Sequence, residues 1–145
     1  MQVMTYYELI SELKQCALDE PNIRFVGAKD IYELNSLPNI DYDVFYITPN
    51  QHILTEDTII YSLNLYFISR WDESEENQID IHSRGIFKLS NILNRFNDRF
   101  PDVAIRYNGT YQLFYQKFKD VCAGVFLTIQ IELPRLFECE EYETE

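Results

Sequence analysis

Asp72, Glu73, Glu75 and Glu76 place four carboxylates within five residues, and a histidine, His82, follows shortly after. Clustered carboxylate oxygens are what a hard cation such as calcium or magnesium takes as ligands. A carboxylate beside an imidazole can also move protons. The spacing argues against both readings. An EF-hand loop alternates its ligands about a central glycine, and this run has neither the alternation nor the glycine. Acidic residues just before a helix have a simpler role, because the positive end of the helix stabilises each by about 0.3–1 kcal/mol. His82 falls on the apolar spacing of that helix, where a histidine packs with a ring nitrogen satisfied. His52, in "PNQH", reads as an exposed turn residue.

No other chemistry rises from the chain. A Ser-His-Asp or Cys-His grouping can be assembled on paper, but the strained elbow or glycine-rich nucleophile loop that would make it credible is missing. No phosphate-binding G-x-x-x-x-G-K-[ST], dinucleotide G-x-G-x-x-G or zinc-binding H-E-x-x-H motif occurs, and the four glycines are scattered. Cys16, Cys122 and Cys139 form an odd set with no C-x-x-C pair, which argues for a reducing compartment and against a disulfide framework or a zinc site. Tyr107, Tyr111 and Tyr115, with Phe114 and Phe118, have the composition of a base-stacking platform. Such platforms lie in positive grooves, and only Arg106, Lys117 and Lys119 are near, so a core or subunit interface is the better expectation. The sequence therefore assigns no catalytic residue, no cofactor and no metal ligand.

The elements that position these residues can be read from periodicity. Thr5 and Glu8 have capping-box spacing, and Tyr6, Leu9, Ile10, Leu13 and Ala17 recur at helical intervals, predicting a helix over 5–19 that stops before Pro21. "NIRFVGAKDIYEL" predicts a strand bent at Gly27, and "YDVFYITP" a short strand ended by Pro49. From Thr58 to Ser69 the residues alternate, with Ile59, Tyr61, Leu63, Leu65 and Phe67 on one face and Ser62, Asn64 and Tyr66 on the other. A helix over 77–99 is expected to bury a stripe of Ile79, His82, Ile86, Leu89, Leu93, Phe96 and Phe100. "VAIRY", the Asn108–Gly109 pair and "TYQLFYQKF" predict a hairpin. The last strand alternates Val121, Ala123, Val125, Leu127, Ile129, Ile131 and Leu133 against Cys122, Gly124, Phe126, Thr128, Gln130 and Glu132. The order α-β-β-β-α-β-β-β predicts an α+β domain, a mainly antiparallel sheet with two helices packed on it. It occupies residues 1–137, with an acidic tail over 138–145.

Composition sets the outer bounds. At 145 residues, with 46% hydrophobic and 15% aromatic residues, the chain fits one globular domain. Its eleven tyrosines are enough to expect surface that a partner covers. The net charge of −12, from 24 acidic and 12 basic residues, disfavours gripping a phosphate backbone. The N-terminal segment lacks the pattern of a signal peptide, and the longest apolar-rich run, 59–68, is far short of a bilayer span. A soluble protein that is not secreted by a recognisable route is expected.

Taken together, "YITP" and "TIIYSLNLYFISRWDESEENQIDIHSRGIFKLSNILNRF" resemble the small tail proteins of phages of Bacteroidetes hosts, including the crAss-like phages. The matching residues are Arg70, Trp71 and Asp72, then Asn77, then Ile81, His82 and Ser83, then Leu89, Asn91, Ile92, Leu93 and Asn94. The chain departs from the pattern at His82, where the family usually has glutamine. "FVGAKDIYEL" is similar to a segment after the family's first helix, with two extra residues between Gly27 and Asp30. The resemblance implies a tail-terminator-like fold assembled as a ring of identical subunits, six or twelve copies, in the neck or tail of a virion made in the host bacterial cytoplasm. Portal or tail ring proteins would be its neighbours, and genomic DNA would pass through its lumen without specific binding or any membrane contact. Such a lumen suits an acidic chain, and pairing between subunits would cover the edges of the long strands at 58–69 and 120–133. A different reading of the same charge is a small acidic cytosolic binding module, or a DNA mimic that inhibits a basic partner.

Overall fold

A computed structural model describes residues 4–28, 43–106, 111–117 and 121–135. It shows a mixed α+β architecture, one sheet with two helices, but with four described strands between the helices instead of the predicted three, because the turn after Pro49 contains a two-residue strand that pairs with the long one. The first helix, α1 (Tyr6–Leu18), starts at the predicted capping box: Thr5 Oγ1 accepts from the Glu8 amide at 3.1 Å, and the Glu8 carboxylate accepts from the Thr5 amide at 3.2 Å. The strands are β1 (Phe25–Gly27), β2 (Val44–Pro49), β3 (Ile53–Leu54), β4 (Thr58–Arg70), β5 (Ala104–Arg106), β6 (Gln112–Lys117) and β7 (Val121–Pro134). The second helix, α2 (Glu75–Arg99), falls between β4 and β5.

The two longest strands take the centre of the sheet. β4 pairs with β7 from Thr58↔Pro134 to Arg70↔Cys122, β2 and β3 flank β4, and β5 and β6 flank β7. The expectation that 58–69 and 120–133 leave open edges is therefore wrong. An apolar strand of this length gains most where both of its backbone edges are bonded, and β1 and the β5–β6 line hold the outside positions instead. All pairings are antiparallel except β1 with β2.

The predicted hairpin around Asn108–Gly109 is also corrected, although the tip itself lies outside the described residues. β5 and β6 do not pair with each other. Both run antiparallel to β7 in the same direction, with Arg106 opposite Gln130 and Gln112 opposite Phe126. The strand that returns is β7, which closes a hairpin with β6 at Lys117↔Val121. A local turn signal lost to a longer partner, because β7 offers one continuous apolar face over both segments. The predicted bent strand after Pro21 is seen as β1 up to Gly27; its continuation beyond Ala28, Cys139 and the acidic tail lie outside the described residues.

Alternation sorts the side chains as expected in β4 and β7. Leu63, Leu65 and Phe67 meet Ala123, Val125, Leu127, Ile129, Ile131 and Leu133 under the helices. The opposite face is not simply polar. Val44, Tyr46, Ile68 and Cys122 are fully or almost fully buried there, with Phe25, Tyr66 and Phe114 packed against them. Asn64 accepts from Thr128 Oγ1 across this face at 2.7 Å.

The buried stripe of α2 is Ile81, Gly85, Lys88, Leu89, Ile92, Leu93 and Phe96. The expected stripe is right in its second half and rotated in its first: Ile79 is 61% exposed and Ile86 37%. The helix turns the other way because Gly85 lets its backbone approach the sheet. A Cβ there would stand 2.7 Å from Val125 Cγ2 and 2.9 Å from Phe67 Cδ1. Lys88, buried on the same side, donates through Nζ to the Pro21 carbonyl.

That contact belongs to a wider pattern. The last turn of α1 has no basic residue of its own, and α2 supplies the cations that its carbonyl end attracts. Arg95 Nη1 donates to the Cys16 carbonyl at 3.0 Å and to Glu20 Oε2 at 3.1 Å, while Arg99 binds Asp19 and reaches Cys16 Sγ at 3.6 Å. The Arg99 hydrogen bond holds the Asp19 carboxyl below its ordinary range, and burial pushes the Cys16 thiol up. At the other end of the domain, Asp43 accepts from Ser69 Oγ on β4 and pairs with Arg84 on α2.

Candidate functional site

The acidic run becomes a built loop between β4 and α2. Trp71 Nε1 donates to the Ser74 carbonyl at 2.9 Å, and Asp72 Oδ1 accepts from the Ser74 amide at 2.8 Å and its hydroxyl at 2.5 Å. The Asp72 amide donates to Asn77 Oδ1 at 2.9 Å, and Ser74 Oγ caps α2 by accepting from the Asn77 amide at 3.1 Å. The Ser74 hydroxyl, and after it the Ser74 amide, lower the Asp72 pKa by stabilising the charged carboxylate. Glu73, Glu75 and Glu76 are exposed, the last two in the first turn of α2. Among the described residues no three His, Cys, Asp or Glu side chains come together as a ligand set.

Glu73 closes the loop with φ 68, a left-handed conformation that costs a non-glycine residue roughly 1 kcal/mol. Glu73→Gly is therefore expected to raise stability by up to about 1 kcal/mol in urea unfolding. A loss of stability would show that the Glu73 side chain, not its backbone, sets the loop.

His82 does not sit in the middle of the packed stripe. It is half-buried at its rim, with Nε2 3.3 Å from the Phe114 carbonyl oxygen, so the ring ties α2 to β6. It lies away from the carboxylate loop's hydrogen bonds. The aromatic candidates separate in the same way. Phe114 packs on Tyr66 and Phe126 at 6.1 and 6.2 Å, and the Tyr111 hydroxyl meets Ser90 Oγ at 2.6 Å, so these rings are structural. Tyr107 and Phe118 lie outside the described residues, and Tyr115 pairs with Ala123 in the sheet.

No family model matches this chain, and no curated protein matches it.

The arrangement that sequence reasoning missed centres on His52. Pro49 stands opposite Leu63 and Ile53 opposite Ile60, so three residues of the β2–β3 line face two of β4. This is a β-bulge, and it leaves ladder groups of β4 to be satisfied some other way. Asn50 donates its amide to the Ser62 carbonyl at 2.9 Å, and the Ser62 amide donates to His52 Nδ1 at 3.2 Å. The imidazole also packs on Tyr6 of α1 and Tyr61 of β4, each with ring centroids 5.2 Å away, and the two tyrosine rings meet each other at the same distance. Beside it, Tyr6, Tyr7, Ile10, Ser11 and Lys14 of α1 face Ala28, Ile47 and Pro49 across an open groove of about 400 Å³. A turn-like "PNQH" gives no hint of this, because the bulge exists only once β3 has paired with β4.

Proposed function

We propose that this chain is a non-enzymatic virion structural protein, one subunit of a homo-oligomeric ring in a phage tail or neck. It is of the tail-terminator or connector type, joins the portal side to the tail and leaves a lumen for DNA. The observation that carries the reading is the order strand, acidic loop, helix over residues 69–96. The residues that resemble the phage proteins there have structural work in this chain: Trp71, Asp72 and Asn77 hold the loop, Ile81, Leu89, Ile92 and Leu93 pack the helix, and His82 ties it to β6. Ile79, Ile86 and Phe87 on α2 and Leu113 on β6 are large apolar side chains left 37–66% exposed, which suits a surface covered in an assembly. The acidic net charge suits a passage that DNA must cross without sticking.

Peptide mass spectrometry and electron microscopy of purified virions test the proposal. The protein is expected in the particle at six or twelve copies per tail, and its absence from virions would sink the reading. Tight, salt-sensitive capture of a basic protein by a chain absent from virions would favour the acidic binding module instead.

A further inference from the structure

We propose that His52 is a proton-sensitive latch on the β2–β3 bulge: neutral, it completes the bulge's hydrogen bonding by accepting from the Ser62 amide; protonated, it releases that amide. The argument rests on which atom gives the proton. A backbone amide can only donate, so Nδ1 must accept, and the ring must be the neutral form with its proton on Nε2. Adding a proton to Nδ1 sets two N–H groups against each other 3.2 Å apart. The Ser62 amide then has no acceptor, because the bulge has taken its strand partner out of register.

The surroundings make the neutral form the resident one. Tyr6 from α1 and Tyr61 from β4 are the titratable groups whose rings face His52, and both are uncharged phenols in this range. Burial raises Tyr6 further, with Tyr61 adding to the effect. On α1 the Glu8 carboxylate is engaged by Thr5. His52 is exposed as a residue, and the partial burial of its ring is the cause that acts on it, lowering the imidazole below its ordinary value of 6.5. The sign follows. The unfolded chain takes up the proton first, so stability held above pH 6.5 is lost as pH falls below it.

The chain has only two histidines, which makes the test clean. Amide exchange at Ser62 and the imidazole resonances of His52 are followed from about pH 7.5 to 5, across the ordinary histidine range. The wild type is expected to lose roughly tenfold protection at Ser62, beyond intrinsic exchange, as His52 titrates below 6.5. His82→Gln should keep that transition. His52→Gln, whose side-chain carbonyl accepts but does not titrate, should protect Ser62 at both ends of the range, and His52→Phe at neither. Ser62 protection that is unchanged while His52 titrates, or a transition that disappears in His82→Gln, would overturn the latch.

Discussion

Gly124→Ala is expected to cost about 3 kcal/mol of folding stability in urea unfolding, the largest loss for a methyl added at any of the described glycines. Gly124 sits in β7 opposite Ile68 of β4 on one side and Phe114 of β6 on the other. A Cβ there would lie 2.1 Å from the Phe67 carbonyl oxygen and 2.8 Å from Phe114 Cζ. The ring can swing away, but the carbonyl cannot, because β4 and β7 are bonded along their whole shared length. The double variant Gly124→Ala/Phe114→Ala separates the two obstacles. It should remain as unstable as the single alanine variant or become worse. Recovery of most of the loss would identify the ring as the barrier and refute the backbone argument.

A loss of comparable size, about 3–5 kcal/mol, is expected for Arg95→Met. Glu20 is 6% exposed and its carboxylate is paired with Arg95 at 3.1 Å, with Asn91 Nδ2 a further 3.4 Å contact. Removing the guanidinium leaves a buried charge with one weak neutral donor, and it also removes the donor to the Cys16 carbonyl. Breaking one side of a buried pair costs far more than replacing both. Arg95→Met/Glu20→Gln should therefore be more stable than Arg95→Met alone. If the double variant is the less stable of the two, the carboxylate is solvated well enough to need no partner. By contrast, Arg106→Ala breaks an exposed pair with Glu132 and should cost no more than about 1 kcal/mol.

Features with a local cause were legible in the sequence, and features set by another element were not. Thr5 and Glu8, the alternation of β4 and β7, and the acidic start of α2 were legible because each is a local pattern with its own physical cause. The phase of α2 was not, since two of its buried positions are Gly85 and Lys88, types that a hydrophobic pattern assigns to the surface. Gly85 is buried for close approach and Lys88 for a carbonyl of the α1–β1 connection, and both reasons lie in other elements. The false hairpin at Asn108–Gly109 has the same origin, because pairing is decided by the partner that buries most area. His52 depended on a mismatch of one residue between two strands, which a single strand's sequence does not record. Glu75 and Glu76 lie in the first turn of α2 and a ring nitrogen of His82 is hydrogen-bonded, as read, but His82 stands at the rim of the buried stripe and not within it, and nothing in the sequence separated His52 from an ordinary turn residue.

The central pairing of β4 with β7 has a consequence for how the chain reaches this state. Between those strands lie the whole of α2, β5 and β6, so the sheet's longest ladder closes only after everything between has been made and brought round. Contacts so far apart in sequence form slowly, because loop closure must precede any reward from pairing. During synthesis β4 emerges with its Leu63, Leu65 and Phe67 face complete but its partner still unmade. In the interval before β7 arrives that face is open to aggregation, and of the described elements only α1, already made, and α2, which follows β4 directly, can cover it.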